Sequence, residues 1–166
     1  YKFDARGHYT GLTIVSVEEN PRAAYGALLG RLTMQSAFDQ SFSQLQPDGS
    51  TASAQSHTQL EEKEHCRLSV AANGTTFTGG FFGAASVFRA RDVTIQQAAT
   101  LEAWAGTAAM NLLAVTCRTG AACISQESTF EGGGGPPISS VTFYVPIQHV
   151  DAVIRDFQGV QAMCGG

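Results

Sequence analysis

Short runs in which apolar and polar residues alternate fill the middle of the chain, and spacings of three and four replace them toward its ends. Residues 11–17 read Gly-Leu-Thr-Ile-Val-Ser-Val, with Leu12, Ile14 or Val15, and Val17 apolar, a strand-like run. Asn20 and Pro21 then mark a helix start, because an Asn side chain caps free N–H groups and proline lacks the one that has no partner there. Tyr25, Leu28, Leu29, Leu32, Ser36 and Phe38 or Phe42 recur near every 3.6 residues, which predicts a helix over residues 21–42. Gly26 and Gly30 leave a bare stripe on it that would admit another backbone closely. Such spacing marks helix dimers in membranes, but Arg22, Arg31 and Asp39 point to packing inside a soluble fold.

Pro47-Asp48-Gly49 is a turn signal, and the Ser, Thr, Ala and Gln that follow offer little to bury, so residues 46–60 are expected to form a flexible loop. Strand-like pieces follow at 66–71, 75–78, 86–90, 93–97 and 101–104, separated by Asn-Gly, Gly-Gly and Arg-Asp breaks that suit an antiparallel meander. Residues 111–117 and 123–128 read as a hairpin with Gly120 at its tip. Residues 131–137, Glu-Gly-Gly-Gly-Gly-Pro-Pro, are expected to be a loop, and 140–145 a last strand ended by Pro146. Ile147, Val150, Ile154, Phe157, Val160 and Cys164 give one apolar stripe on a closing helix over 146–164, and Gly165 stops it. The sum is an α+β domain: an antiparallel sheet or partly closed barrel of about 6–7 strands, an extra N-terminal helix and a C-terminal amphipathic helix that covers the sheet.

The 166 residues suit one domain: residues 1–45 strand plus helix, 46–60 loop, 61–145 antiparallel strands, 146–164 helix. Apolar residues make up 43% and charged ones 14%, which excludes a disordered chain held open by charge. A net charge of −4 gives no basic field for phosphate backbones, so nucleic acid is not expected as a partner. The richest apolar stretch, 108–115, falls far short of the ~20 residues a membrane helix needs. Because the chain opens at Tyr1 without Met, its start reads as a cut end.

Four cysteines are present. Cys117 and Cys123 would face one another across the hairpin, where Cβ atoms stand about 4.5–5.5 Å apart and local twist can bring them to bonding distance. Cys66 and Cys164 would then join a middle strand to the last helix. Three pairings are formally open, and four reduced thiols in a cytosolic protein are the alternative. Only 2 Lys against 8 Arg, and loops rich in Gly, Ser, Thr and Gln, favour an exported, extracytoplasmic protein, periplasmic or secreted.

The second half, with Cys117-Arg-Thr-Gly-Ala-Ala-Cys123, the Val141-Thr-Phe-Tyr-Val145 strand and a helix ending in Cys164-Gly165-Gly166, resembles uncharacterised bacterial exported domains. Its strand order with a closing helix is also similar to a pleckstrin-homology-like barrel. The likeness covers residues 66–166 and implies a fold, with no activity and no ligand residues to carry over.

Candidate chemistry is sparse. His65-Cys66 after three glutamates is the densest set of metal-ligand types, yet neighbours on a strand face opposite sides, so no metal site is expected. No serine stands in Gly-x-Ser-x-Gly, and a reactive thiol at Cys117 or Cys123 beside Arg118 explains less than a disulfide does. Asp92, Glu102, Glu127 and Asp151 are the carboxylates from which a glycosidase pair could be drawn. The Gly132–Gly135 run lacks the Lys-Ser/Thr of a phosphate loop, and Asn73-Gly74-Thr75 reads as a turn rather than a glycosylation acceptor. Phe81 and Phe82 cannot both face one core if the chain there is extended, so with Phe77 nearby they mark an interaction surface, against the alternative of an irregular bend that buries both. The reading is a non-enzymatic binding or assembly module, such as a subunit of a cell-envelope complex or filament, with a protein partner or a second copy and no cofactor. A small extracytoplasmic hydrolase and a periplasmic lipid or small-ligand carrier are the competing classes.

Overall fold

The computed structural model describes residues 2–3, 9–11, 21–101, 110–128 and 134–165. The strand run at 12–17, the Asn20 cap, the 102–104 piece, His8, Glu102 and Gly132 fall outside them. In chain order the elements are β1 (Lys2–Phe3), β2 (Tyr9–Gly11), α1 (Pro21–Ser36), β3 (Phe38–Leu45), β4 (Thr51–Glu64), β5 (Arg67–Thr75), β6 (Phe81–Arg89), β7 (Val93–Leu101), β8 (Met110–Cys117), β9 (Ile124–Ser128), β10 (Gly135–Ile138), β11 (Ser140–Pro146) and α2 (Val150–Met163). Every strand pairing among the described residues is antiparallel. One sheet has the order β10-β9-β6-β5-β4-β3, a second β11-β8-β7, and β1 pairs with β2. The class is α+β, with two helices among the described residues and two disulfides.

Helix α1 stops at Ser36, six residues short of the predicted end. Ser36 is fully buried, its hydroxyl donating to the Thr33 carbonyl at 3.2 Å and accepting the Leu60 amide at 2.9 Å. The chain then runs extended as β3, with Phe38, Gln40 and Phe42 on one side and Asp39, Ser41 and Ser43 more exposed. A Phe38/Phe42 spacing of four satisfies both a period of 3.6 and a period of 2, so the pattern could not separate the two. Residues 51–60, expected as flexible loop, belong to the longest strand. β4 pairs with β3 over its first half and with β5 over its second, which satisfies the backbone of a segment that has little to bury. Only Gln46 to Ser50 turn, with Gly49 at φ +86°.

Residues 76–80 form the turn between β5 and β6, so the 75–78 strand piece is not formed, and Asn73-Gly74-Thr75 lies inside β5 rather than on a turn. A Cβ at Gly74 would overlap the Gln55 carbonyl on β4, which is why glycine stands there. Residues 135–137, expected in a loop, belong to a short edge strand that runs to Ile138, and Pro136 and Pro137 make that edge a poor template for further pairing.

The hairpin of 111–117 with 123–128 does not form. β8 pairs with β7 and β11, whereas β9 pairs with β6 and β10, so the chain turns a corner from one sheet into the other. Gly120, at φ +76°, takes that corner, and the Cys117–Cys123 disulfide ties it with Cα atoms 5.9 Å apart.

Both sheets and both helices share one core, built from residues such as Leu32, Leu60, Phe88, Leu113, Phe143 and Phe157. In α2 the buried stripe is Val150, Val153, Phe157 and Val160; Ile147, assigned to it by spacing, sits in the preceding 3-10 turn and is 46% exposed. Asp156, which is not part of the apolar stripe, is nevertheless buried against Arg31 of α1 at 3.4 Å. Gly26 and Gly30 are exposed, with nothing described within 4 Å of where a Cβ would stand. The close approach between the helices is at Gly159, where a Cβ would stand 3.3 Å from Leu28. Gly165, at φ +77°, follows the last turn as expected.

Candidate functional site

Strand β6 places two different surfaces at the ends of one sheet face. Alternation puts Phe82 and Phe88 on the side of the core and Phe81, Gly83, Ala85, Val87 and Arg89 on the other. At its start Phe81 stands opposite Thr75 and is 81% exposed, and Phe77 in the adjoining turn is 41% exposed. Phe82, opposite Gly74, is half-buried. The turn is held by the Thr76 amide donating to the Gly80 carbonyl at 2.8 Å and by the paired hydroxyls of Thr76 and Thr78 at 3.0 Å. Adjacent aromatics on an extended strand diverge, so one of them had to point away from the core.

Between the ends the face is small-sided, with Ala71 and Ala85 forming the floor of a shallow groove of about 260 Å³. Lys63 of β4 reaches Glu127 of β9 at 3.9 Å across the two intervening strands.

The other end holds the cysteines. Cys66 closes the two-residue turn from β4 to β5 at φ +62°, unusual for a side chain with a Cβ. Three ties fix it there: its sulfur is bonded to Cys164 after α2, its amide donates to the Tyr25 hydroxyl of α1 at 2.8 Å, and its carbonyl accepts the Ala90 amide at 2.9 Å. Next to it His65 lies against the Tyr25 ring at 4.8 Å. Burial, and then a hydrogen bond to Glu62, push the Tyr25 hydroxyl up to about 12, so it stays protonated and able to bridge the two. Gln161 of α2 completes the junction, donating to the carbonyls of Ala90 at 2.8 Å and Val93 at 2.6 Å. Both cysteine pairs expected from the sequence are thus bonded, and none of the four sulfurs is a free thiol. Around this junction opens a cleft of about 540 Å³ whose wall carries Glu64, Arg67, Arg89, Arg91 and Asp92. The sequence reading missed this cluster, because Arg67 and Arg89 become neighbours only through the register of β5 and β6. Arg89-Ala-Arg91 was the local signal.

The titratable groups singled out by sequence do not converge. Glu127 pairs with Lys63, Asp92 with Arg91, and Asp151 opens α2. Among the described residues no three His, Cys, Asp or Glu side chains gather as metal ligands. A His–carboxylate couple is formed by His57 with Asp39, 2.7 Å apart, on the exposed side of β3 and β4. The other nitrogen of His57 lies 2.9 Å from Gln59 Oε1, and Gln59 in turn donates to Glu61 at 3.0 Å. With both nitrogens against acceptors, the doubly protonated ring is favoured; Gln59 first and Asp39 second raise its pKa above 6.5. A raised folded value means that the contribution to stability is full below 6.5 and fades as pH rises through the raised value, and exposure of Asp39 keeps it small. An NMR titration is expected to put His57 above 6.5 in the wild type and lower in Asp39→Asn; a wild-type midpoint at or below 6.5 would contradict the ladder.

Comparison of the chain with protein-family models, with curated proteins and with solved structures finds no match to any of them.

Proposed function

We propose that this chain is an extracytoplasmic binding or assembly module whose protein contact centres on Phe81. The carrying observation is a ring 81% exposed on a strand that is itself fixed by nine register pairs with β5. Burying such a ring is worth roughly 1.5–3 kcal/mol, and a partner recovers what the fold leaves unused. Phe77 beside it widens the apolar spot, while the two disulfides hold the scaffold rigid, which lowers the entropic cost of docking. Disulfides also support the location outside the cytoplasm. The His57–Asp39 couple lends the hydrolase reading no support, since the two His57 nitrogens already face Asp39 and Gln59 and leave none to accept a serine proton.

Native mass spectrometry of the protein recovered from its own cells tests this. A complex with a second polypeptide, identical or different, is expected in the wild type and lost in Phe81→Ser with an unchanged circular dichroism spectrum. A protein that is monomeric in both forms, or a complex indifferent to Phe81→Ser, would overturn the proposal.

A further inference from the structure

We infer that the arginine-lined cleft beside the Cys66–Cys164 disulfide is a binding site for a phosphate-type oxyanion. Arg67 on β5 and Arg89 on β6 are direct cross-strand partners, an arrangement in which like charges repel. Arg67 is half-buried and paired with Glu64, whereas Arg89 is exposed on the face away from the core, so its charge adds nothing to core packing. Local rules broken in this way at an exposed position are where function is to be sought.

Neutralisation of the cluster is uneven. Arg67 meets Glu64 at 3.1 Å and Arg91 meets Asp92 at 3.9 Å, whereas among the described residues no carboxylate lies within ion-pair distance of Arg89. The cleft therefore keeps one guanidinium in surplus, at the point where two others converge on the same wall. Arg118 does not line the cleft but ties to it, its Nε donating to the Arg91 carbonyl at 2.9 Å. Four of the eight arginines of a chain with net charge −4 thus stand at this junction, Arg67 and Arg89 at the end of the larger sheet, Arg91 just before β7 and Arg118 just after β8.

Guanidinium forks match tetrahedral oxyanions, giving two parallel N–H···O bonds where an ammonium gives a point contact. The walls are fixed in advance: Cys66 and Cys164 on one side and Cys123 on another belong to disulfides, so little ordering remains to be done on binding. At about 540 Å³ the cleft exceeds the oxyanion itself and leaves room for the group that carries it. This site lies at the opposite end of β6 from Phe81 and does not depend on that contact.

The test is an amide NMR titration of the intact, oxidised protein with inorganic phosphate at low ionic strength, against sodium chloride of equal ionic strength. Phosphate is expected to shift residues 64–67 and 89–92 where chloride does not. Arg89→Gln should weaken the apparent affinity by about tenfold or more, while Arg22→Gln, an equal loss of charge at the exposed start of α1, should leave it unchanged. Arg89→Glu should abolish binding yet raise the melting temperature by about 1–3 °C, because it turns a repulsive cross-strand pair into an attractive one. That opposite pair of effects separates a ligand site from a structural role. In a second arm, Arg89-dependent retention on phosphatidylglycerol vesicles over phosphatidylcholine vesicles would assign the oxyanion to a lipid headgroup, and absence of retention to a soluble ester. The inference fails if phosphate acts no differently from chloride, or if Arg22→Gln weakens binding as much as Arg89→Gln.

Discussion

Replacing Cys66 and Cys164 together by Ala is expected to lower the melting temperature by roughly 10–15 °C. The bond spans 98 residues of sequence, and closing so long a loop removes, on the chain-entropy account, about 4–5 kcal/mol of freedom from the unfolded chain. Its loss in the folded state is felt at one point, where the Cys66 turn, the Tyr25 hydroxyl and the end of α2 meet. The Cys117–Cys123 bond closes a loop of only six residues and should cost about 2 kcal/mol when removed. Thermal melts of the two double variants give the ordering directly. If Cys117→Ala/Cys123→Ala proved the more damaging, loop closure would not be what these bonds contribute.

Phe157→Ala should cost about 3–5 kcal/mol, the range for deleting a fully buried aromatic ring and leaving a cavity. Its ring lies 6.1 Å from that of Phe88 on β6, between Val153 and Val160 of its own helix, so the void would open where α2 meets the larger sheet. Urea unfolding should show the midpoint fall with an unchanged slope. A loss under about 1 kcal/mol would mean that the site collapses freely and α2 is not seated in the core.

The closing helix was legible in the sequence because its apolar spacing is helical and unambiguous, and Val150, Phe157 and Val160 all enter the core. β8 and β11 were legible because 111–117 and 140–145 are dense in Val, Leu and aromatic residues. β4 was not, since Thr, Ser, Gln and Ala carry no stripe; its strand is made by neighbours on both sides, which only the register supplies. The same limit explains the corner at Gly120: two cysteines six apart look alike whether the chain folds back on itself or passes between sheets. Both cysteine pairs were nevertheless identified, the first from a hairpin that does not form, which left Cys66 and Cys164 as the remaining couple. For the candidate surfaces, Phe81 was legible because it adjoins Phe82 on an extended chain. The Arg67–Arg89 pair was invisible, because 22 positions separate them and only pairing of β5 with β6 makes them neighbours.

Everything proposed for this chain rests on a scaffold locked by oxidised sulfur and presenting one sheet face outward. Peptide mapping of the protein from its own cells, alkylated before digestion and left unreduced, measures that lock directly. Linked fragments joining Cys66 to Cys164 and Cys117 to Cys123, with no alkylated cysteine, are the predicted result; four alkylated thiols, or any other pairing, would contradict it.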